Sequence, residues 1–253
     1  MKAHSELSAS GSERWIKCAG SVALSRNAPV LPDSSAASEG TLAHEYLEKW
    51  IRKILKFKES NWESLAPKGL KENDNMYQSV RLGVEYVEKS RNKNTEILIE
   101  QIVSLEHIHP KMFGTADIVI IEPYGHLQVW DYKHGKGHRV SLFEENENGD
   151  KELNTQLVYY ALGVANLYDY EFDSVTLGVI QPRASATNKI RSVTTTMTEL
   201  IKYEKYFRDA AARTEIKKPE LFKGNWCYFC PAKDYNCRLH RDIKGAVKNY
   251  FND

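Results

Sequence analysis

Long apolar runs are absent from this sequence. No stretch approaches the roughly 20 apolar residues that a membrane-spanning helix needs. The opening residues, MKAHSELSASGSERW, lack the apolar segment of a secretory signal, so a cytoplasmic location is the expectation. Charge of one sign is also missing. The chain has 35 Lys and Arg against 34 Asp and Glu, so its overall charge announces no nucleic-acid partner. Residues 199–253 lean basic, with twelve Lys and Arg against eight Asp and Glu, and a solvated surface explains so mild an excess. No internal repeat or low-complexity tract occurs, so a repeat architecture is not expected. Cysteine is scarce, at four in 253 residues, and in a cytosolic chain four thiols read better as metal ligands than as disulfides. What remains is the composition of an ordinary globular protein, long enough for one large domain or a domain with an appendage.

Periodicity outlines an α/β chain. A short helix is expected around Glu13–Leu24, carrying Arg14, Trp15 and Cys18, before Pro29 and Pro32 interrupt the pattern. A longer helix is expected from about Ser38 to Lys56, where Ala43, Leu47, Trp50, Ile51 and Ile54 form an apolar stripe with His44 on its border. Another is expected over Asn75–Arg91, with Val80, Val84 and Val87 on one side. Glu96–Leu105 alternates as a strand, placing Ile97, Ile99 and Gln101 on one face and Leu98, Glu100 and Ile102 on the other. The acidic, turn-rich segment 144–151, EENENGDK, reads as an exposed loop. Leu153–Tyr168 returns to helix, with Gln156 and Tyr160 four apart on one face. Val175–Gln181 and Ile190–Thr196 read as paired strands, with Arg183 just after the first; an Arg fork there matches phosphate oxygens. Thr196 and Glu199 have capping-box spacing for a last helix to about Lys217.

The chain is organised around residues 113–133, FGTADIVIIEPYGHLQVWDYK. Two apolar strands, Ile118–Ile121 and Leu127–Trp130, flank a turn with Pro123 and Gly125. Centring the hairpin on Tyr124 sets Ile121 against Leu127, Val119 against Val129 and Asp117 against Asp131. Opposed residues hold their Cβ atoms about 4.5–5.5 Å apart, so the two carboxylates repel unless a hard divalent cation bridges them. Lys133 joins the same face, where its ammonium can orient a water or stabilise an oxyanion. Taken singly, an Asp at a strand end is ordinarily a solvated edge or a cap, and a lone His is ordinarily a hydrogen-bonded core residue. The weight lies in the opposed pair together with the lysine.

Cys227, Cys230 and Cys237 form a C-x2-C-x6-C array that can wrap a metal, and Cys18, about two hundred residues earlier, is the remaining candidate for a fourth ligand. Zinc and iron–sulfur clusters both take four cysteines, so the residues alone leave both open.

Gly114-Thr115-Ala116-Asp117 followed by Asp131-Tyr132-Lys133-His134-Gly135 resembles the G-x-x-D and D-Y-K-x-G motifs of the PD-(D/E)XK nuclease superfamily, nearest its RecB-like branch with the CRISPR-associated iron–sulfur and phage exonucleases. The motif order matches from Cys18 to Cys237. The resemblance implies a restriction-endonuclease-like core, a central mixed sheet flanked by helices, over about 38–200. It also implies an iron–sulfur appendage built from 1–37 and 218–253, the whole forming one nuclease domain. It makes Asp117, Asp131 and Lys133 catalytic. Gly40-x-x-x-His44 matches a family motif that supplies a metal ligand, so the implied ligand set is His44, Asp117, Asp131 and Tyr132 for Mg²⁺ or Mn²⁺; imidazole suits Mn²⁺ better. Gln156 and Tyr160 fit the family's Q-x-x-x-Y, which contacts DNA or supports the site; Arg183 and Glu100 are further support residues. The split cysteine pattern favours a [4Fe–4S] cluster over zinc. The implied activity is metal-dependent DNA cleavage, exonucleolytic rather than endonucleolytic, in phage recombination or DNA processing. DNA is the implied partner, with a helicase, recombinase or single-strand-binding protein as a candidate companion. The other readings are an accessory DNA-binding subunit of a helicase or recombination complex, and a zinc-stabilised interaction module with an inactive site.

Overall fold

The computed structural model describes residues 5–240, apart from 31, 33, 58–60, 73, 137–138, 147–148 and 186. Parts of the expected appendage (1–4 and 241–253) and of the acidic stretch (147–148) lie outside the described residues, as do 137–138 in the segment after Lys133.

Two short helices, α1 (Ser12–Lys17) and α2 (Gly20–Arg26), precede the long α3 (Ser35–Phe57) and α4 (Asn75–Ser90). Strands β1 (Glu96–Ser104), β2 (Phe113–Glu122) and β3 (His126–Tyr132) follow as an antiparallel meander. After a small hairpin, β4 (Phe143–Glu145) and β5 (Lys151–Leu153), helix α5 (Thr155–Leu167) crosses over to β6 (Ser174–Ile180), which lies parallel to β3. β7 (Ile190–Thr196) and α6 (Met197–Glu215) complete the core. The result is an α/β fold whose central mixed five-stranded sheet runs β1-β2-β3-β6-β7, with helices on both faces. The parallel β3–β6 pair explains α5: such a pair needs a crossover, usually a helix.

Each face has its own core. On one, Ala43, Leu47, Trp50, Ile51 and Ile54 of α3 pack with Val80, Val84 and Val87 of α4 against Ile99, Ile118, Ile120, Trp130 and Tyr132. On the other, α5 is buried almost all round and packs with Phe207, Ala210 and Ala211 of α6 and Trp15 and Ile16 of α1 against Val119, Val129, Val175 and Leu177. A helix apolar around most of its circumference belongs at such a sandwiched position. α6 begins as its capping residues imply, the Thr196 hydroxyl accepting from the Glu199 N–H at 3.2 Å. Among the described residues no helix is long and apolar enough to cross a membrane.

The hairpin forms about Tyr124, with Glu122 opposite His126 and positive φ at Tyr124 (64°) and Gly125 (72°). Three expectations need correction. The helix expected over Glu13–Leu24 breaks at Cys18, whose non-helical backbone (φ −141°, ψ 78°) separates α1 from α2. There the chain segment 219–221 crosses over Gly20: the Gly20 N–H donates to the Glu220 carbonyl at 2.9 Å, and a Cβ at Gly20 would sit 2.5 Å from Leu221 Cδ2. The acidic stretch is no simple exposed loop, because its two ends belong to the paired strands β4 and β5. Glu144 folds back to the start of α5, where its carboxylate accepts from the Thr155 N–H at 3.1 Å, since the first N–H groups of a helix lack helical partners. Finally, the face alternation expected for β1 does not persist past Glu100. Ile99 packs on the α3–α4 side and Val103 on the α5 side, although strict alternation would put residues four apart on one face. Glu100 has φ 52°, and the same switch occurs in β2 between Ala116 and Ile118.

Candidate functional site

Glu100 and Asp117 mark where the strands change face. Main-chain pairing of β2 with β3 ends at Ile118–Trp130, one pair short of the expected Asp117–Asp131 pair. Beyond that point β2 continues against β1 alone, and the Tyr132 N–H donates to Asp117 Oδ2 at 2.7 Å in place of a main-chain carbonyl. The end of the β2–β3 ladder thus opens a polar notch between the two cores.

α3 supplies His44 to this notch, with Nδ1 3.5 Å from Asp117 Oδ1 and 3.8 Å from Glu100 Oε1. The ligand atoms of His44, Glu100 and Asp117 all lie within 4.8 Å of one another, so this His/Glu/Asp group can hold a metal ion. Glu100 reaches it because its left-handed backbone departs from the strand's alternation. From β3, Asp131 is 2% exposed. Its Oδ1 accepts from Lys133 Nζ at 3.0 Å and from Gln156 Nε2 at 2.9 Å, while Oδ2 is buried with no hydrogen-bond partner. Both aspartates are therefore held by one oxygen and offer the other. Tyr160, one turn beyond Gln156 on α5, stands 3.5 Å from the Gln156 amide.

The charges are coupled. Burial pushes the Asp117 carboxyl up to about 7, with Asp131 adding to the rise and His44, Lys133 and the Tyr132 N–H opposing it. Burial works against protonation of His44, but Asp117, Glu100 and Asp131 outweigh it and raise its pKa. The same balance, burial against Asp131 and Asp117, raises Lys133. A site that crowds carboxylates and leaves Asp131 Oδ2 without a partner suits a cation.

Tyr132 plays a supporting part. Its N–H fixes Asp117, and its ring meets His44 edge-on at 5.3 Å between centroids. Arg183 is not free in this arrangement: Nη1 donates to Glu39 Oε1 at 2.7 Å and lies 2.6 Å from His134 Nε2. Glu39 and His134 escape sequence reasoning, although His134 follows Lys133 directly. Burial lowers the His134 pKa, with Glu39 opposing and Arg183 reinforcing the shift.

The four cysteines, all free thiols, line one small enclosed cavity together with Arg14, Leu24, Phe222, Trp226, Lys233 and His240. Cys18 sits at the α1–α2 break and its sulfur accepts from the Phe222 N–H at 3.4 Å. The Cys230 N–H donates to the Cys227 carbonyl at 3.2 Å, closing a turn that brings those two together. Arg14 to the Phe229 carbonyl (3.3 Å) and Asn236 to the Leu24 carbonyl (3.0 Å) fasten the C-terminal stretch onto the N-terminal helices. Burial raises the Cys18 pKa, as do the neighbouring Cys227 and Cys230. No three of the sulfurs come within 4.8 Å of one another.

Among solved structures, the chain is similar to that of an Eubacterium rectale protein named "Putative exonuclease", at 11% identity and a TM-score of 0.44, covering 93% of this chain and 87% of that one. A likeness of that degree decides nothing about activity. The sequence itself matches the model of a family described as "Protein of unknown function (DUF2800)" over residues 4–252. With that match spanning nearly its whole length, the chain belongs to the DUF2800 family.

Proposed function

We propose that this protein is a metal-dependent deoxyribonuclease of the PD-(D/E)XK type, nearest the RecB-like branch, which hydrolyses phosphodiester bonds exonucleolytically in phage recombination or DNA processing. One observation carries the reading. Asp117 and Asp131 are each pinned through one oxygen; the other oxygen of Asp117 lies beside His44 and Glu100, and Asp131 Oδ2 is left without a hydrogen-bond partner. A structural ion pair would satisfy both oxygens; a metal-and-phosphate site leaves them available.

His44, Glu100, Asp117 and Asp131 would hold Mn²⁺ or Mg²⁺, which moves Glu100 from support to ligand. The bound cation supplies Lewis acidity, lowering the pKa of water and offsetting charge that develops on the phosphoryl oxygens. Everything else falls to the chain. Tyr132 N–H and Gln156 hold the two carboxylates in place. Lys133 keeps its charge against Asp131 and presents an ammonium to the phosphate or to the attacking water. Tyr160 backs Gln156, and Arg183, once released from Glu39, contacts a phosphate oxygen.

Cys18, Cys227, Cys230 and Cys237 would hold a [4Fe–4S] cluster that clamps the two ends of the chain. Four thiols around one cavity have the donor chemistry for it.

The test is cleavage of end-labelled linear DNA by purified protein with Mg²⁺, Mn²⁺ or chelator. Asp117→Asn, Asp131→Asn and Lys133→Ala are each expected to lose at least about a hundredfold in rate, the scale of removing one transition-state contact, with unchanged far-UV circular dichroism. Wild-type protein inert on single- and double-stranded DNA with either metal would end the nuclease reading.

A further inference from the structure

We infer that the cleft between α4 and the segment after β6 is a track for the sugar–phosphate backbone of the nucleic-acid strand flanking the cleaved bond, recognised without regard to sequence; this rests on the nuclease reading above. The cleft has a volume of about 490 Å³ and is lined by Asn75, Gln78 and Arg81 of α4 opposite Lys136, Arg183 and Lys189. Its charge is one-sided: those four cations face a single lining carboxylate, Glu85.

Not all four cations are available. Arg81 is committed to Glu63 at 2.6 Å, and Arg183 to Glu39 at 2.7 Å. Lys136 and Lys189 make no ion pair among the described residues. Two lysines without carboxylate partners facing one concave wall hold an unbalanced field that a polyanion relieves.

The cleft adjoins the candidate metal site. Lys136 is three residues beyond Lys133, and Arg183 in the cleft wall touches His134, which follows Lys133 directly. A strand with one phosphate at Lys133 therefore has its neighbouring phosphates within reach of this wall. No aromatic side chain lines the cleft among the described residues, so bases have nothing to stack on. Lysine ammoniums and the amides of Asn75 and Gln78 bind phosphates and sugars, contacts that fix position and carry no sequence information.

The experiment is fluorescence anisotropy with labelled 20-nucleotide single strands of two unrelated sequences. Ca²⁺ replaces the catalytic metal, and salt is titrated for wild type and for Lys136→Glu/Lys189→Glu. Losing two phosphate contacts should lower the slope of log affinity against log salt by about 1.4, at roughly 0.7 per contact, and weaken binding at least tenfold at low salt, equally for both sequences. Cleavage of bis(4-nitrophenyl) phosphate, a diester with no neighbouring phosphates, should stay within twofold. An unchanged slope in a wild type that cleaves DNA overturns the cleft and leaves the nuclease. A variant-sensitive slope in a wild type that cleaves nothing sinks the nuclease and leaves the cleft. A wild type that binds neither strand, or a variant that loses affinity for only one sequence, overturns the cleft.

Discussion

Asp117→Asn should make the metal-free protein more stable and the metal-bound protein less so. With its pKa carried from the ordinary aspartate range to about 7, the folded state keeps a proton on Asp117 that the unfolded chain has already released. The unfolded state thus binds fewer protons between those values, and stability falls as pH rises through that window. Above about pH 7 the whole cost is present. A shift of that size corresponds to about 4 kcal/mol as a ceiling, at about 1.36 kcal/mol per pKa unit, and on the order of 1–3 kcal/mol is expected once the site relaxes. Asparagine keeps an acceptor for the Tyr132 N–H and carries no charge, so it removes the cost and not the hydrogen bond. Urea denaturation in chelator should therefore show the variant more stable than wild type at pH 8 and equal to it near pH 4. Adding Mn²⁺ to a hundred times its Kd should stabilise wild type by about 2.7 kcal/mol and the variant much less. A variant less stable than wild type in chelator at pH 8, or stabilised equally by Mn²⁺, would refute the account of Asp117 as a strained ligand.

Two further outcomes concern the cysteine region. Gly20→Ala places a methyl 2.5 Å from Leu221 Cδ2 and 3.0 Å from the carbonyls of Pro219 and Glu220. It should cost about 1–3 kcal/mol and speed thiol labelling of Cys18 and Cys237, because the covering segment must lift; unchanged labelling kinetics would show that the segment closes by another route. Protein purified without oxygen should be brown, and Cys18→Ala should lose iron as completely as Cys230→Ala. Colourless protein with one zinc per chain replaces the cluster with a Cys₄ zinc site.

Much of the frame is legible from pattern alone. The β2–β3 hairpin announces itself through two apolar strands and a Pro–Tyr–Gly turn, and the valines at 80, 84 and 87 can bury only one face of a helix. Residues whose position depends on remote partners are a different matter. Nothing near Arg183 in sequence indicates that Glu39, 144 residues away, occupies its guanidinium. Glu144 lies in a run of charged residues that reads as solvated, yet its carboxylate turns back to cap α5 and burial pushes it up to about 7, with Glu13 adding to the shift. The helix around Cys18 breaks where a segment two hundred residues later crosses Gly20, a contact that nothing near Cys18 in sequence indicates.

Glu100 shows where a local rule and the fold part company. Alternation along β1 predicts a surface carboxylate on the Leu98 face, and a glutamate with φ 52° is a conformation that a strand would ordinarily reject. Left-handed backbone at a non-glycine residue costs on the order of 1–3 kcal/mol and persists where the surroundings over-determine it. Here the cost turns the carboxylate toward Asp117 and His44, adding one more negative group to a place already short of counter-charge. Packing uses the same switch, since Ile99 and Val103 are buried in separate cores and a regular strand would hold residues four apart on one face. The switch does two things at once: it divides β1 between the two cores, and it crowds carboxylates where a cation can offset them. A strictly periodic reading of β1 passes over both consequences, the divided packing and the turned carboxylate.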